Sequence, residues 1–169
     1  ADVINGFQTI FPIPLAQGCT FEPQIAKEGA RIAASESASA GLHLTVSPMV
    51  DLVRDPRWGR VMESTGEDTY LNSCFSKAMV EGYQGTEGLS TKGKIAACVK
   101  HFAGYGAPIG GRDYNTVELS KRTLFDNYLP AYKAAIDAGC ATVMASFNTL
   151  DRVPSSANKW LMRDILRKE

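Results

Sequence analysis

The chain has 169 residues, 44% of them hydrophobic and 21% charged, with 18 basic residues against 18 acidic ones and a formal net charge of zero. That length fits one domain or part of a larger one, and that balance belongs to an ordinary globular chain. There is no basic stripe, no acidic tail and no apolar run near the roughly 18 residues of a membrane span, so neither nucleic acid nor a membrane is an expected partner.

The sequence opens at Ala1-Asp2 with no Met and no signal peptide, which leaves room for an upstream segment and leaves the compartment open between cytoplasm, periplasm and secretion. The four cysteines, Cys19, Cys74, Cys98 and Cys140, form no CxxC pair. Zinc and redox chemistry therefore have little support, no cofactor is expected, and reduced, structural thiols are the plain reading.

In chain order, Asp2-Val3-Ile4-Asn5-Gly6 reads as a strand end entering a turn, and Phe11-Pro12-Ile13-Pro14 as extended chain or loop. Thr20 is a candidate N-cap with Pro23 in the first turn, and Ile25, Gly29, Ile32, Ala33 and Glu36 follow at helical spacing up to a C-cap at Gly41. Leu42 to Pro48 is the second strand. His43 is expected to be an ordinary strand residue. Asp51 to Asp68 is a charged loop of roughly seventeen residues without periodicity, long enough to suggest function, its alternating signs implying a rigid ion-pair network. One Arg left unpaired and pointing inward would be its functional exception.

Leu71, Phe75, Ala78, Met79 and Gly82 mark an amphipathic helix ending near Gly85. Ile95 to Phe102 is the third strand. The glycines after it have GxGxxxG spacing and Pro108 interrupts any helix start, so they are not a dinucleotide fingerprint. Leu124, Tyr128, Tyr132 and Ile136 share a helical face from about Ser120 to Ala138, divided at Pro130. Cys140 to Phe147 is the fourth strand, and a last helix carries Leu161 and Ile165.

Strand and helix alternate, and the strands are apolar, which predicts an α/β fold with parallel strands. The polar residues gather at the strand tips: Asp2, Asp51, Lys100-His101 and Phe147-Asn148. Ligand-handling groups at one end of parallel strands fit a TIM-type (β/α)8 barrel, but about four strand–helix units are present where a closed barrel needs about 250 residues. The expected architecture is a partial barrel, residues 1–169 forming a single incomplete domain.

The segments Asp2-Val3-Ile4-Asn5-Gly6, Arg54-Asp55-Pro56-Arg57-Trp58-Gly59-Arg60, Glu63-Ser64-Thr65-Gly66-Glu67-Asp68, Lys100-His101-Phe102 and Ala145-Ser146-Phe147-Asn148 occur in that order. Together they resemble the N-terminal barrel of glycoside hydrolase family 3, especially its bacterial β-glucosidases, across the whole chain. The resemblance implies that Asp2, Arg60, Lys100 and His101 hold the sugar of the −1 subsite and that Phe147 stands beside the nucleophile, at a position often Tyr. It also implies that the nucleophilic Asp lies on the next strand beyond Glu169 and the acid/base in a later domain, so that no catalytic carboxylate lies in this chain. The chain would then be an inactive part of a retaining, exo-acting β-glucosidase, with a β-glucoside as substrate and the remainder of the enzyme, or a second copy, as partner.

The family's common His is Asn5 here. Tyr105 and Arg112-Asp113-Tyr114-Asn115 stand where the N-acetylglucosaminidase branch places its histidines, which disfavours that branch. The residue types suit sugar hydroxyls: Asp accepts, while Lys, His and Arg donate, each charge-assisted bond contributing about 1.5–3 kcal/mol. Two other classes compete, a non-catalytic sugar-binding half-barrel and a Schiff-base enzyme built on Lys100.

Overall fold

A computed structural model describes residues 1–168. Four segments lie side by side in chain order. Residues 1–3 are held to the second segment by the Val46 N–H on the Ala1 carbonyl (2.9 Å) and by the Val3 N–H on Thr45 Oγ1 (3.2 Å). The second segment, residues 43–50, runs parallel to the third with bridges at Leu44–Ala96 and Met49–Lys100. The third contains β1 (Cys98–Phe102), and the fourth is β2 (Thr142–Ala145), which pairs parallel with β1 from Cys98–Thr142 to Lys100–Met144. Every residue of β1 is buried, as expected of a parallel strand covered on both faces.

Helices pack in turn on one another outside these strands. After the short α1 (Pro14–Gly18) come α2 (Pro23–Ser39) and α3 (Thr69–Gln84), then the single turn α4 (Lys121–Thr123) and α5 (Pro130–Asp137). α2 packs on α3 and α3 on α5. The Asp68 carboxylate caps α3 by accepting from the Leu71 N–H at 2.7 Å, and Gly85, at φ +71°, ends it where the sequence predicted. A Cβ on Gly82 would stand 2.4 Å from the Lys27 carbonyl oxygen and 2.7 Å from Ala30 Cβ, so the α2–α3 approach requires glycine there. Phe75, Met79, Val80, Ile95, Val99 and Tyr132 belong to the core between helices and strands. No helix among the described residues is long and apolar enough to cross a membrane.

Several elements differ in detail from the sequence reading. The second strand is a stave with isolated bridges rather than a continuous ladder, because Pro48 has no N–H to give and Val46 spends its own on Ala1. The buried stripe of α2 is Ala26, Ala30, Ala33, Ala34 and Ser37, one position on from the predicted one, and Ile25 is 51% exposed. Residues 11–13 are irregular as expected, and the short α1 starts at Pro14, where no helix was predicted. Glu22, not Thr20, precedes α2, while Thr20 Oγ1 accepts from the Glu22 N–H. The helix over residues 120–138 does divide at Pro130, through a π turn, Leu124–Tyr128, closed by the Leu129 N–H on the Leu124 carbonyl. The last helix is likewise a π turn, Trp160–Ile165. An unforeseen hairpin, β3 (Thr149–Leu150) with β4 (Val153–Pro154), turns on Asp151 and Arg152, both at positive φ as a two-residue primed turn demands.

Candidate functional site

The strand tips converge on one rim. Asp2, at the end of the first segment, accepts from Ser47 Oγ at 2.8 Å and from Lys100 Nζ at 2.5 Å. The Lys100 side chain is 3% exposed and that of Asp2 38%, so a deeply set ammonium reaches outward to a carboxylate in contact with solvent. Neighbouring residues of a regular strand point to opposite faces. The register between β1 and β2 slips between Lys100 and Phe102, and this irregularity breaks the alternation at the Lys100-His101 pair.

His101 is held from below. Its Nδ1 lies 2.7 Å from Asp51 Oδ2, which also accepts the His101 backbone N–H at 3.2 Å. Asp51 is fully enclosed. The Tyr132 hydroxyl, arriving from α5, stands 2.6 Å from the His101 carbonyl and 3.0 Å from Asp51 Oδ1, so one proton serves two acceptors. Burial, reinforced by the Asp51 charge, pushes the Tyr132 phenol well above its ordinary range. It remains a donor.

Arg60 closes the far side. Two 2.6 Å bonds tie its Nε and Nη2 to the Glu63 carboxylate, across the single 3-10 turn Val61–Glu63, and Nη1 lies 3.3 Å from His101 Nε2. The guanidinium also sits 5.7 Å from the Tyr105 ring centroid. Hydrogen bonding to Glu63 raises its pKa further above the usual arginine value. The loop of residues 51–68 is thus rigid, as the alternating charges implied, but Arg60 is paired rather than the unpaired arginine that the sequence left room for. Two further features fix the loop. Trp58 is buried against Tyr105, and the Arg54 N–H bonds the Gly106 carbonyl at 3.0 Å. A Cβ on Gly106 would stand 2.1 Å from the Leu52 carbonyl oxygen, so the glycine-rich loop after β1 is tight because it must lie flat on this one.

Asp113 braces the aromatic side. Its Oδ1 accepts from the Tyr105 hydroxyl (2.5 Å), Trp58 Nε1 (2.9 Å) and the Tyr114 N–H (3.1 Å). Burial alone would raise its pKa, but the hydrogen bonds from Tyr105 and Trp58 outweigh that and leave it lowered. The Tyr105 phenol is raised by burial and then by Asp113. Phe147, 53% exposed, packs its ring 5.3 Å from His101, 5.5 Å from Tyr105 and 5.4 Å from Tyr114.

The structure therefore brings Asp2, Arg60, Lys100, His101 and Phe147 to one rim: Asp2 pairs with Lys100, Arg60 with the adjacent His101, and Phe147 packs its ring on His101. This place is an open rim. A cavity under α1 and α2, lined by Val3, Asn5, Phe11, Gln17 and Tyr83 among others, touches none of these five residues. His43 is an exposed edge residue whose carbonyl accepts from Ala96 N–H. No three His, Cys, Asp or Glu side chains among the described residues could share a metal ion. Sequence reasoning noted Asp51 only as a strand tip and missed Tyr132 and Asp113 as supports. The signal for Asp51 was its place two residues beyond Met49, the last bridge of its stave; Tyr132, 81 residues away in sequence, left none.

Comparison with known proteins gives this rim a context. The chain is 45% identical over 168 residues to a periplasmic β-glucosidase of Salmonella typhimurium, and 39% identical over 163 residues to a putative β-xylosidase of Formosa agariphila. These matches cover 99% and 95% of the chain but 22% of each relative. A Listeria innocua β-glucosidase solved with isofagomine superposes with a TM-score of 0.96 at 58% identity, over 99% of this chain and 24% of that one. An exo-1,3/1,4-β-glucanase of a Pseudoalteromonas species does so at 0.95 and 32%, over 99% of this chain and 22% of that one. The chain thus spans less than a quarter of the length of these relatives, and its strands are part of an α/β barrel. The model of the glycosyl hydrolase family 3 N-terminal domain matches residues 1–169, and the chain belongs to that family.

Proposed function

We propose that this chain forms the sugar-gripping rim of a retaining, exo-acting β-glucosidase, residues 1–169 being an incomplete barrel that the rest of the enzyme closes. One observation carries the reading: Asp2, Lys100, His101 and Arg60, spread over a hundred residues of sequence, meet at a single end of adjacent parallel staves. A pyranose presents hydroxyls that donate and accept at once, and this rim offers carboxylate, ammonium, imidazole and guanidinium from the adjacent residues Lys100 and His101 and their partners. Phe147 adds an apolar face beside them.

The catalytic pair belongs elsewhere. Retention needs two free carboxyl groups roughly 5–5.5 Å apart. Every carboxylate at this rim is already engaged: Asp2 by Lys100 and Ser47, Asp51 by His101, Glu63 by Arg60, Asp113 by Tyr105 and Trp58. β2, only partly buried beside a fully buried β1, has a free edge for the next strand. The Listeria relative is known with glucose, gluconolactone and laminaribiose, which favours a glucoside. Identity to that β-glucosidase, 57–58%, also exceeds the 39% to the β-xylosidase type.

The test is hydrolysis of an aryl β-glucoside and an aryl β-xyloside by the intact enzyme, with the anomer of the first product read by NMR. Preference for glucoside with the β-anomer released is the expected result. Inversion, or no turnover of either substrate, would sink it. The 169 residues alone should hydrolyse neither substrate.

A further inference from the structure

We propose that Asp51 and Tyr132 are positioning residues that fix His101 as the neutral Nδ1–H tautomer, so that its Nε2 lone pair accepts from the Arg60 guanidinium and orients it at the sugar rim. The proposal deepens the reading of the rim as a sugar site and reverses the donor role that the sequence suggested for His101.

The tautomer follows from what each neighbour can do. Asp51, wholly enclosed, accepts and cannot donate as a carboxylate, and it stands 2.7 Å from Nδ1. Nδ1 therefore carries the proton. At the other ring nitrogen the neighbour is the Arg60 guanidinium, which only donates, 3.3 Å from Nε2. A proton on Nε2 would point at that cation, whereas a lone pair is compatible with it. Asp51 cannot turn away, since its two oxygens are also held by the His101 backbone N–H and the Tyr132 hydroxyl. The Tyr132 hydroxyl in turn grips the His101 carbonyl, so the ring and its own backbone are clamped as one piece. A second observation agrees: the Tyr105 and Phe147 rings pack against the imidazole, with centroids 5.1 and 5.3 Å from its own.

The consequence for recognition is a balanced rim. Asp2 accepts, Lys100 and the His101-held Arg60 donate, and a hydroxyl lying between them can give its proton to one group and take one from another. A proton on Nε2 would instead set a third cation against Arg60 and push its guanidinium out of place.

The experiment uses the intact enzyme labelled with nitrogen-15 histidine. The His101 ring is assigned by its loss in His101→Asn and read by long-range proton–nitrogen correlation. A protonated Nδ1 with a bare Nε2 supports the proposal; the opposite tautomer, or a doubly protonated ring at neutral pH, overturns it. This readout does not depend on turnover, so it stands apart from whether the enzyme cleaves β-glucosides. Kinetics give the second arm. Asp51→Ala should lower kcat/KM about 10–100-fold, the loss expected when one charge-assisted contact is misaligned. Asp51→Asn, whose carbonyl oxygen can still accept from Nδ1–H, should stay within about threefold. In a His101→Ala background the Asp51→Ala penalty should shrink below about threefold, because the two residues act as one unit. Full additivity, or equal damage from Asn and Ala, would overturn the positioning role. If Asp51→Ala fails to fold, the Asn variant and the wild-type spectrum still decide.

Discussion

Replacing Lys100 by Met in the intact enzyme separates the grip on the sugar from the stability of the barrel. Met keeps an unbranched side chain of similar length at a position where that of Lys100 is 3% exposed. Two interactions disappear. The first is the 2.5 Å bond to Asp2, whose side chain is 38% exposed and keeps its bond from Ser47, so water can replace the ammonium there. With that screening the loss of the pair should stay within about 1 kcal/mol, and a buried side chain that no longer carries a charge offsets part of it. Unfolding temperature should therefore move by no more than a few degrees. The second is whatever Nζ donates to the sugar, since one of its three protons goes to Asp2 and two remain. A charge-assisted bond contributes about 1.5–3 kcal/mol, which corresponds to a fall in kcat/KM of roughly 10–150-fold on an aryl β-glucoside. Steady-state kinetics beside a thermal melt reads both numbers. A fall below threefold would show that Lys100 does not hold the substrate, and a collapse of the melting temperature would show that its role is to hold Asp2 and the first stave in place.

Arg60→Lys should lower kcat/KM about tenfold with little change in melting temperature, because a point-like ammonium cannot keep both 2.6 Å bonds to Glu63 and still face His101; unchanged kinetics would count against Arg60 as a sugar ligand. Gly82→Ala gains about 1 kcal/mol of helix propensity, but the new Cβ falls 2.4 Å from the Lys27 carbonyl oxygen. Overpacking of that kind costs about 1–3 kcal/mol or more, so the variant should melt lower, and a higher melting temperature would refute the tight α2–α3 approach. Asp113, with its folded pKa below the ordinary 3.8, contributes stability that is complete above that value and lost as pH falls through the lower folded one. Asp113→Asn should therefore flatten the acid limb of the melting profile below about pH 4, and an unchanged limb would show that the carboxylate is not held by Tyr105 and Trp58.

How much of this was legible in the sequence follows from how local each feature is. The α3 face from Phe75 to Gly82, the stops at Gly41 and Gly85 and the break at Pro130 depend on spacing and on backbone chemistry within a few residues, and they were readable. The stripe of α2 was off by one position because its buried residues are alanines, which carry little hydrophobic contrast against Ile25 and Ile32. The strand tips were readable as a set because apolar runs end there in polar residues. What no local pattern could show is who answers whom across the fold. Asp51 to His101 spans 50 residues, Tyr132 to Asp51 spans 81, and Trp58 to Asp113 spans 55. A tyrosine inside an amphipathic helix looks like core in any sequence, and Tyr132 is core as well: only the position of its hydroxyl makes it a support.

The charge at the rim has a further physical consequence. Lys100 and Arg60 are the cations of the network, while Asp2, Glu63, Asp51 and Asp113 are its carboxylates, so the carboxylates outnumber the lysine and arginine. A neutral sugar in its ground state gains little from that surplus. A ring passing through an oxocarbenium-like transition state gains more, since positive charge grows where the field is already negative and no group has to reorient to meet it. The same carboxylates are each held by donors at 2.5–2.9 Å, so they stay in place while the ring distorts. A rim that only gripped hydroxyls would serve equally well with cations in excess. On the proposed reading, acceptors in excess would bind the developing cation better than the substrate, which is the differential that accelerates a reaction.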